Sequence, residues 1–223
     1  MIIDVSGNSR GAVFMYKKMD DASLETLLEA GIDEFSKKGL DRANINNIAK
    51  SANFSVGVIY KYYENKDKFF IACVEHSLRL LEGIMTEILS NEENIISCIS
   101  LLIDKLFAES ENHANYYVMY NEITSQSCSK YAEELADKIE TSTAHIYEGM
   151  FERAQKKGQM KTDSDPYMCA FYFDSLLMML QFSYSCKYYK ERMKIFCKED
   201  VFDNPIRTKE SFLQFVSGAL GLN

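Results

Sequence analysis

Tyr60, Lys61, Tyr62 and Lys66 fall within one stretch of seven residues, directly after Val56, Gly57 and Val58. Hydroxyl and ammonium groups at this density suit contact with phosphate oxygens. Valine offers only a methyl surface, and its match on a base edge is the thymine methyl. The chemistry on offer is therefore binding. Residues 44–66 set the direction of these side chains. Ile45, Ile48, Ala49 and Ala52 recur at spacings of three and four, which predicts a helix with Asn44 as its N-cap. Asn53 can enter the left-handed region at low cost and turn the chain, with Phe54 tucked between two helices. Ser55 is placed to cap a second short helix running to about Tyr62. Ile59 and Tyr63 then face inward, leaving Val56, Gly57, Val58, Tyr60, Lys61 and Tyr62 outward. A helix, a tight turn and an exposed aromatic, basic second helix is the layout of a DNA-binding helix-turn-helix. An outward face that met only water would carry Glu, Gln or Ser, because exposed rings and valines cost solubility.

The flanking sequence supplies the supports. A first helix is expected from Asp21 to Lys38, with Leu24, Leu28, Ile32 and Phe35 as its buried stripe and Gly39 as its C-cap. Asn65 caps a fourth helix that begins at Lys66 and continues to about Leu89. It is long enough to leave the first unit and enter a second. The start of that helix, with Lys66, is a natural phosphate site; a lysine merely solvated in a first turn is the alternative.

At this point the stretch from Leu27 to Phe70 resembles the N-terminal domain of the TetR family of transcriptional regulators. The resemblance rests on Phe35-Ser36-Lys37-Lys38-Gly39, Ile48-Ala49, Asn53-Phe54-Ser55, Ile59-Tyr60-Lys61-Tyr62-Tyr63 and Lys66, and covers about a fifth of the chain. Asn44 stands where the family usually has Thr, and Asn53 where it has Gly. Val56 and Val58 replace residues that are commonly Lys and Thr. The resemblance implies an all-α fold of three parts: an arm over residues 1–20, a helix-turn-helix domain over 21–70, and a helical effector-binding and dimerisation domain over 71–223. It makes Asn44, Ser55, Val56, Gly57, Val58, Tyr60, Lys61, Tyr62 and Lys66 the candidate contacts to double-stranded DNA.

Charge follows the same division. The chain of 223 residues carries a net charge of −8, but residues 35–68 hold seven Lys or Arg against three Asp or Glu, a net of +4. Residues 71–223 hold fifteen against twenty-three, a net of −8. Local charge is what meets phosphate. The acidic remainder disfavours anionic membrane surfaces.

The second half reads as further helices. Ser90 and Glu93 have capping-box spacing before a fifth helix. A sixth is expected over 112–126, a seventh from Lys130 to Lys157, and an eighth with Pro166 in its first turn, capped by Asp163 or Ser164. A last helix follows Pro205 and ends at Gly221. The stretch from Tyr167 to Tyr184 is apolar over most of its circumference, so it must be buried on all sides. One way is a four-helix dimer interface with the last helix, as in the family, through Phe173, Leu177, Leu180, Phe212 and Phe215. Burial wholly within one subunit is the other. Tyr, Phe and Met in helices five to eight suit either plain core or a ligand pocket. The resemblance implies a pocket for a small apolar or aromatic effector, with Tyr116, Tyr120, Phe151 and Phe171 in its lining.

No cofactor or metal is implied. His76, His113 and His145 have no metal spacing, and no catalytic motif is present, so an enzyme is not expected. Cys73, Cys98, Cys128, Cys169, Cys186 and Cys197 are widely spaced and read as reduced, mostly buried residues. The N-terminus lacks the apolar run of a signal peptide, and a cytoplasmic homodimer is expected. The alternative is a dimeric ligand- or protein-binding module of the same fold whose DNA recognition is weak or lost.

Overall fold

A computed structural model describes residues 19–222, so the expected arm over 1–20 lies almost wholly outside the described residues. The described chain is all-α. Its helices are α1 (Asp21–Arg42), α2 (Ile45–Ser51), α3 (Val56–Tyr63), α4 (Lys66–Asn91), α5 (Ile95–Asn112), α6 (Ala114–Glu122), α7 (Ala132–Lys156), α8 (Pro166–Ser185), α9 (Lys187–Cys197) and α10 (Pro205–Leu220). Short 3-10 turns cover Gln126–Tyr131 and Glu199–Phe202.

Side chains punctuate these helices where an amide would otherwise lack an acceptor. Asn44 accepts from the Asn46 amide at 2.9 Å, Ser55 from Val58 at 3.3 Å and Asn65 from Lys68 at 2.8 Å. Asn53 holds φ at 59°, as its role in the turn requires. Gly39, at φ 70°, breaks α1 rather than simply ending it, and the chain resumes helical geometry to Arg42. Ahead of α5 the cap is Asn94, which accepts from the Ser97 amide at 3.0 Å, in place of the expected Ser90–Glu93 box. Asp165, not Asp163 or Ser164, caps α8. At Cys186 the backbone is extended and separates α8 from the basic helix α9.

Two cores form. The first gathers Leu27, Ile32 and Phe35 of α1, Ile48 of α2, Ile59 of α3 and Phe69, Phe70 and Cys73 of α4. The Phe35 ring packs on Phe70 at 5.1 Å and on Phe69 at 5.9 Å. At the α1–α4 crossing a Cβ on Gly31 would come within 2.5 Å of the Cys73 sulfur, so only glycine allows this approach. This core does not stop at residue 70, because Met119 of α6 and Leu135 and Ile139 of α7 belong to it. The second core joins α5, α7, α8 and α10 around Ile103, Phe151, Phe173 and Val216.

Polar contacts fasten the two halves together. The Leu40 amide donates to Glu122 Oε1 at 3.1 Å, in the space left by the missing side chain of Gly39. Tyr116 donates to Glu29, and Asn115 donates to Asp33 at 3.1 Å. At the start of α4, Asp67 accepts from Lys130 at 2.6 Å and from the Tyr131 hydroxyl at 2.5 Å. These donors hold the Asp67 carboxyl below the usual carboxylate range, the Lys130 hydrogen bond foremost.

No described helix is long and apolar enough to cross a membrane. All six cysteines are free thiols. Five are buried and Cys197 is half-buried.

Candidate DNA-binding surface and effector cavity

The outward side of α3 carries what its sequence promised, with adjustments. Ile59 is fully buried and Tyr63 packs against the first core, which fixes the rotation of the helix. Tyr60 and Tyr62 are then exposed at 43% and 38%, and Lys61 and Gly57 are exposed beside them. The Tyr62 hydroxyl also accepts the Met19 amide at 2.7 Å. Asn44 and Ser55 are exposed but already engaged as caps. Val56 is half-buried and packs on the first core, so it is less outward than expected, and Val58 is half-buried as well. Lys66 requires a correction. Its ammonium donates to the Asp41 carbonyl at 2.9 Å and to the Ala43 carbonyl at 3.4 Å. It thereby ties the segment after the Gly39 break to the start of α4. Carbonyl oxygens at a chain turn are the acceptors nearest to it.

In the second half, two adjoining cavities share the walls Tyr120, Thr143, Tyr147, Asp174 and Met178. The inner one measures about 70 Å³ and reaches Leu78, Glu82 and Met85 of α4, Lys105 of α5 and Tyr117 of α6. The outer one measures about 410 Å³ and opens past Glu140, Glu148, Tyr167 and Phe171. Tyr120 donates to Glu140 at 3.0 Å across it. Burial pushes the Asp174 carboxyl up to about 6, and the charge of Glu140 pushes the same way. Burial likewise raises the Tyr117 and Tyr147 hydroxyls far above their ordinary values, so both stay neutral.

The four expected lining residues divide evenly. Tyr120 and Phe171 line the cavity, Phe171 at its mouth with 64% exposure. Tyr116 is turned toward α1 and bonded to Glu29. Phe151 is sealed in the second core against Phe173, ring centres 5.8 Å apart. Asp174, Tyr147 and Met178 went unnoticed in the sequence.

The proposed dimer residues also need correction. Phe173, Leu177 and Leu180 are buried within the subunit's own core. Phe212 is half-buried against that core, and only Phe215, at 61%, is exposed. The apolar side chains that α8 presents outward are Tyr167, Met168, Phe171 and Tyr172. A helix apolar all round gives no phase from which to choose between its faces.

Comparison with known proteins agrees with this architecture. Residues 27–73 match the family described as bacterial regulatory proteins, tetR family. YvdT, an uncharacterized HTH-type transcriptional regulator of Bacillus subtilis, is 31% identical over 106 residues, which is 46% of this chain and 53% of that protein. The chain thus spans about half the length of the curated relatives it matches. Among solved structures, FadR from Bacillus subtilis in complex with stearoyl-CoA superposes with a TM-score of 0.71 at 16% identity, over 86% of this chain and 97% of that one. The fatty acid degradation regulator FadR of Bacillus halodurans gives 0.70 at 14% identity, over 85% and 97%. At these identities the superpositions establish the fold. The helix-turn-helix segment over residues 27–73 thus matches the tetR family of bacterial regulatory proteins, and the described chain shares the all-α fold of the solved regulators.

Proposed function

We propose that this protein is a ligand-responsive transcriptional regulator, a repressor that binds a pseudopalindromic operator as a homodimer and is released by a small apolar or aromatic effector. The observation that carries this reading is the path between the two sites. Along α4, Lys66 and Asp67 hold the helix-turn-helix while Leu78, Glu82 and Met85 form cavity wall. On α6, Tyr117 and Tyr120 face the cavity, while Asn115, Tyr116 and Glu122 are fastened to α1. A ligand that shifts either helix therefore shifts α3. Two such α3 helices in a two-fold dimer would read half-sites ~34–36 Å apart or a multiple of that. A coupling free energy on the order of 1–3 kcal/mol between ligand and DNA is enough for release. The exposed faces of α8 and α10, with Tyr172, Ile206 and Phe215, supply apolar surface for the second subunit. The stearoyl-CoA in the Bacillus subtilis FadR structure makes a lipophilic ligand a natural class to test here.

The test is fluorescence anisotropy with DNA flanking the protein's own gene, titrated with salt and with random competitor. Six or more phosphate contacts should cost about 10³-fold in affinity between 50 and 200 mM salt. Lys61→Ala should weaken all sequences alike, and Val58→Ala should change preference at thymine-containing positions. Affinity no better than for random DNA at every salt concentration sinks the regulator reading. It would favour a ligand- or protein-binding module of the same fold. The half-buried Val56 and the engaged ammonium of Lys66 are the observations on that side.

A further inference from the structure

The cavity walls leave a set of polar groups unmatched. Asp174 takes part in no hydrogen bond and no ion pair among the described residues, and its neighbouring charge is Glu140, of the same sign. Tyr147 is 2% exposed and Tyr117 is 1% exposed. Both line the cavity, yet neither hydroxyl has a hydrogen-bond partner among the described residues. A ligand seated in this space would therefore meet a carboxylate and two hydroxyls that no group of the described protein engages. The charge of the walls is one-sided. Asp174, Glu140, Glu148 and Glu82 stand against Lys105 alone. The large side chains of the remaining surface are rings and a thioether: Tyr120, Tyr167, Phe171 and Met178. Ring faces carry the negative side of their quadrupole and attract cations.

We propose that the effector is a lipophilic cation, an aromatic or alkylated onium whose charge lies against Asp174 and Glu140 and whose apolar body rests on Tyr120, Tyr147, Phe171 and Met178. This rests on reading the cavity as the effector site. A cation matches the unpaired Asp174 carboxylate, and it relieves the repulsion between two carboxylates. An anion of the same shape would be stripped of water beside Asp174, Glu140 and Glu148, which is penalised. The cavity also discriminates within lipophilic ligands, rejecting those that carry phosphate or carboxylate at this depth.

Tetraphenylphosphonium and tetraphenylborate have the same shape and opposite charge, and so isolate the sign of the charge. Isothermal titration of the full-length protein should give phosphonium binding at least tenfold tighter than borate binding. Asp174→Asn, which keeps the side-chain shape, should weaken phosphonium binding about tenfold and bring the two probes close together, with an unchanged far-ultraviolet circular dichroism spectrum and a melt that stays cooperative as the control for folding. Equal affinities, tighter borate binding, no phosphonium binding, or a cation preference that survives Asp174→Asn would each overturn the proposal. Operator binding in the presence of each probe separates this from the broader reading. Stearoyl-CoA that releases DNA while phosphonium fails to bind would leave the effector site standing and remove the cation. Phosphonium that binds without changing DNA affinity would keep the cation site and remove its regulatory role.

Discussion

The junction between the two halves and the cavity beside it treat half-buried acids in opposite ways. At the junction Glu29, Asp67 and Glu122 each receive donors from the other half of the chain. In the cavity Asp174 receives none. The titration of the two kinds follows. Hydrogen bonds hold Asp67 below its ordinary range, and burial pushes Asp174 up to about 6. A protein that satisfies its acids so thoroughly at one place and leaves one bare at another has made the first a joint and the second a socket.

The comparison can be broken at its most rigid point first. Phe35→Ala, in the packed first core, should destabilise the protein by about 3–5 kcal/mol, whereas Met178→Ala on the cavity wall should cost under about 1 kcal/mol because the space beside it is already empty. Denaturant unfolding measures both, and equal losses would mean that the cavity is closed in solution. Next in size is Glu122→Ala. It leaves the Leu40 amide without its acceptor and should cost about 1–2 kcal/mol. It should also weaken the ligand's effect on DNA binding, which anisotropy would report.

Asp174→Asn should act in the other direction, stabilising the unliganded protein at pH 7 by an amount on the order of 1 kcal/mol. The sign follows from the raised folded value. The native state holds this proton more tightly than the unfolded chain, so the contribution of Asp174 to stability is full below about 3.8 and lost as pH rises to about 6. Thermal melts of wild type and variant should therefore converge as the pH is lowered from 7 toward 4. The smallest effect belongs to Asp67→Asn, because its Lys130 partner is exposed. Here the folded value is depressed, so the contribution is present above about 3.8 and lost as pH falls through the lowered value. Melts of wild type and variant should draw together only as pH falls below 4. Opposite pH trends for the two asparagine variants are the signature of joint and socket, and parallel trends would erase the distinction.

What could be read ahead in the sequence depended on range. Local signals were dependable. Asn44, Asn53, Ser55 and Asn65 each did what a short polar side chain does at a helix boundary, and Gly39 and Gly221 both hold positive φ. Ser90–Glu93 and Asn94 competed within five residues, and spacing alone could not rank them. Tertiary facts were out of reach. The Lys66 ammonium found carbonyls set in place by the break at Gly39, a partner no helical wheel contains. The apolar run of α8 hid which of its faces is core, so Phe173 and Leu177 were exchanged for Met168 and Tyr172 as outward residues. The cavity was illegible for the same reason. Tyr117, Tyr147 and Asp174 belong to three helices, and only packing gathers them around one space.

The free thiols give the protein a built-in clock. Cys73 is pinned under α1, Cys98 is buried on α5, Cys128 sits in the 3-10 turn before α7 and Cys169 faces the core from α8. Burial raises each of these four thiols, so a thiolate-seeking reagent reaches any of them only when its own helix opens. Half-buried Cys197 on α9 should react first and mark time zero. The delay at each remaining cysteine then reads the opening free energy of one part of the fold, with no label added and no residue changed.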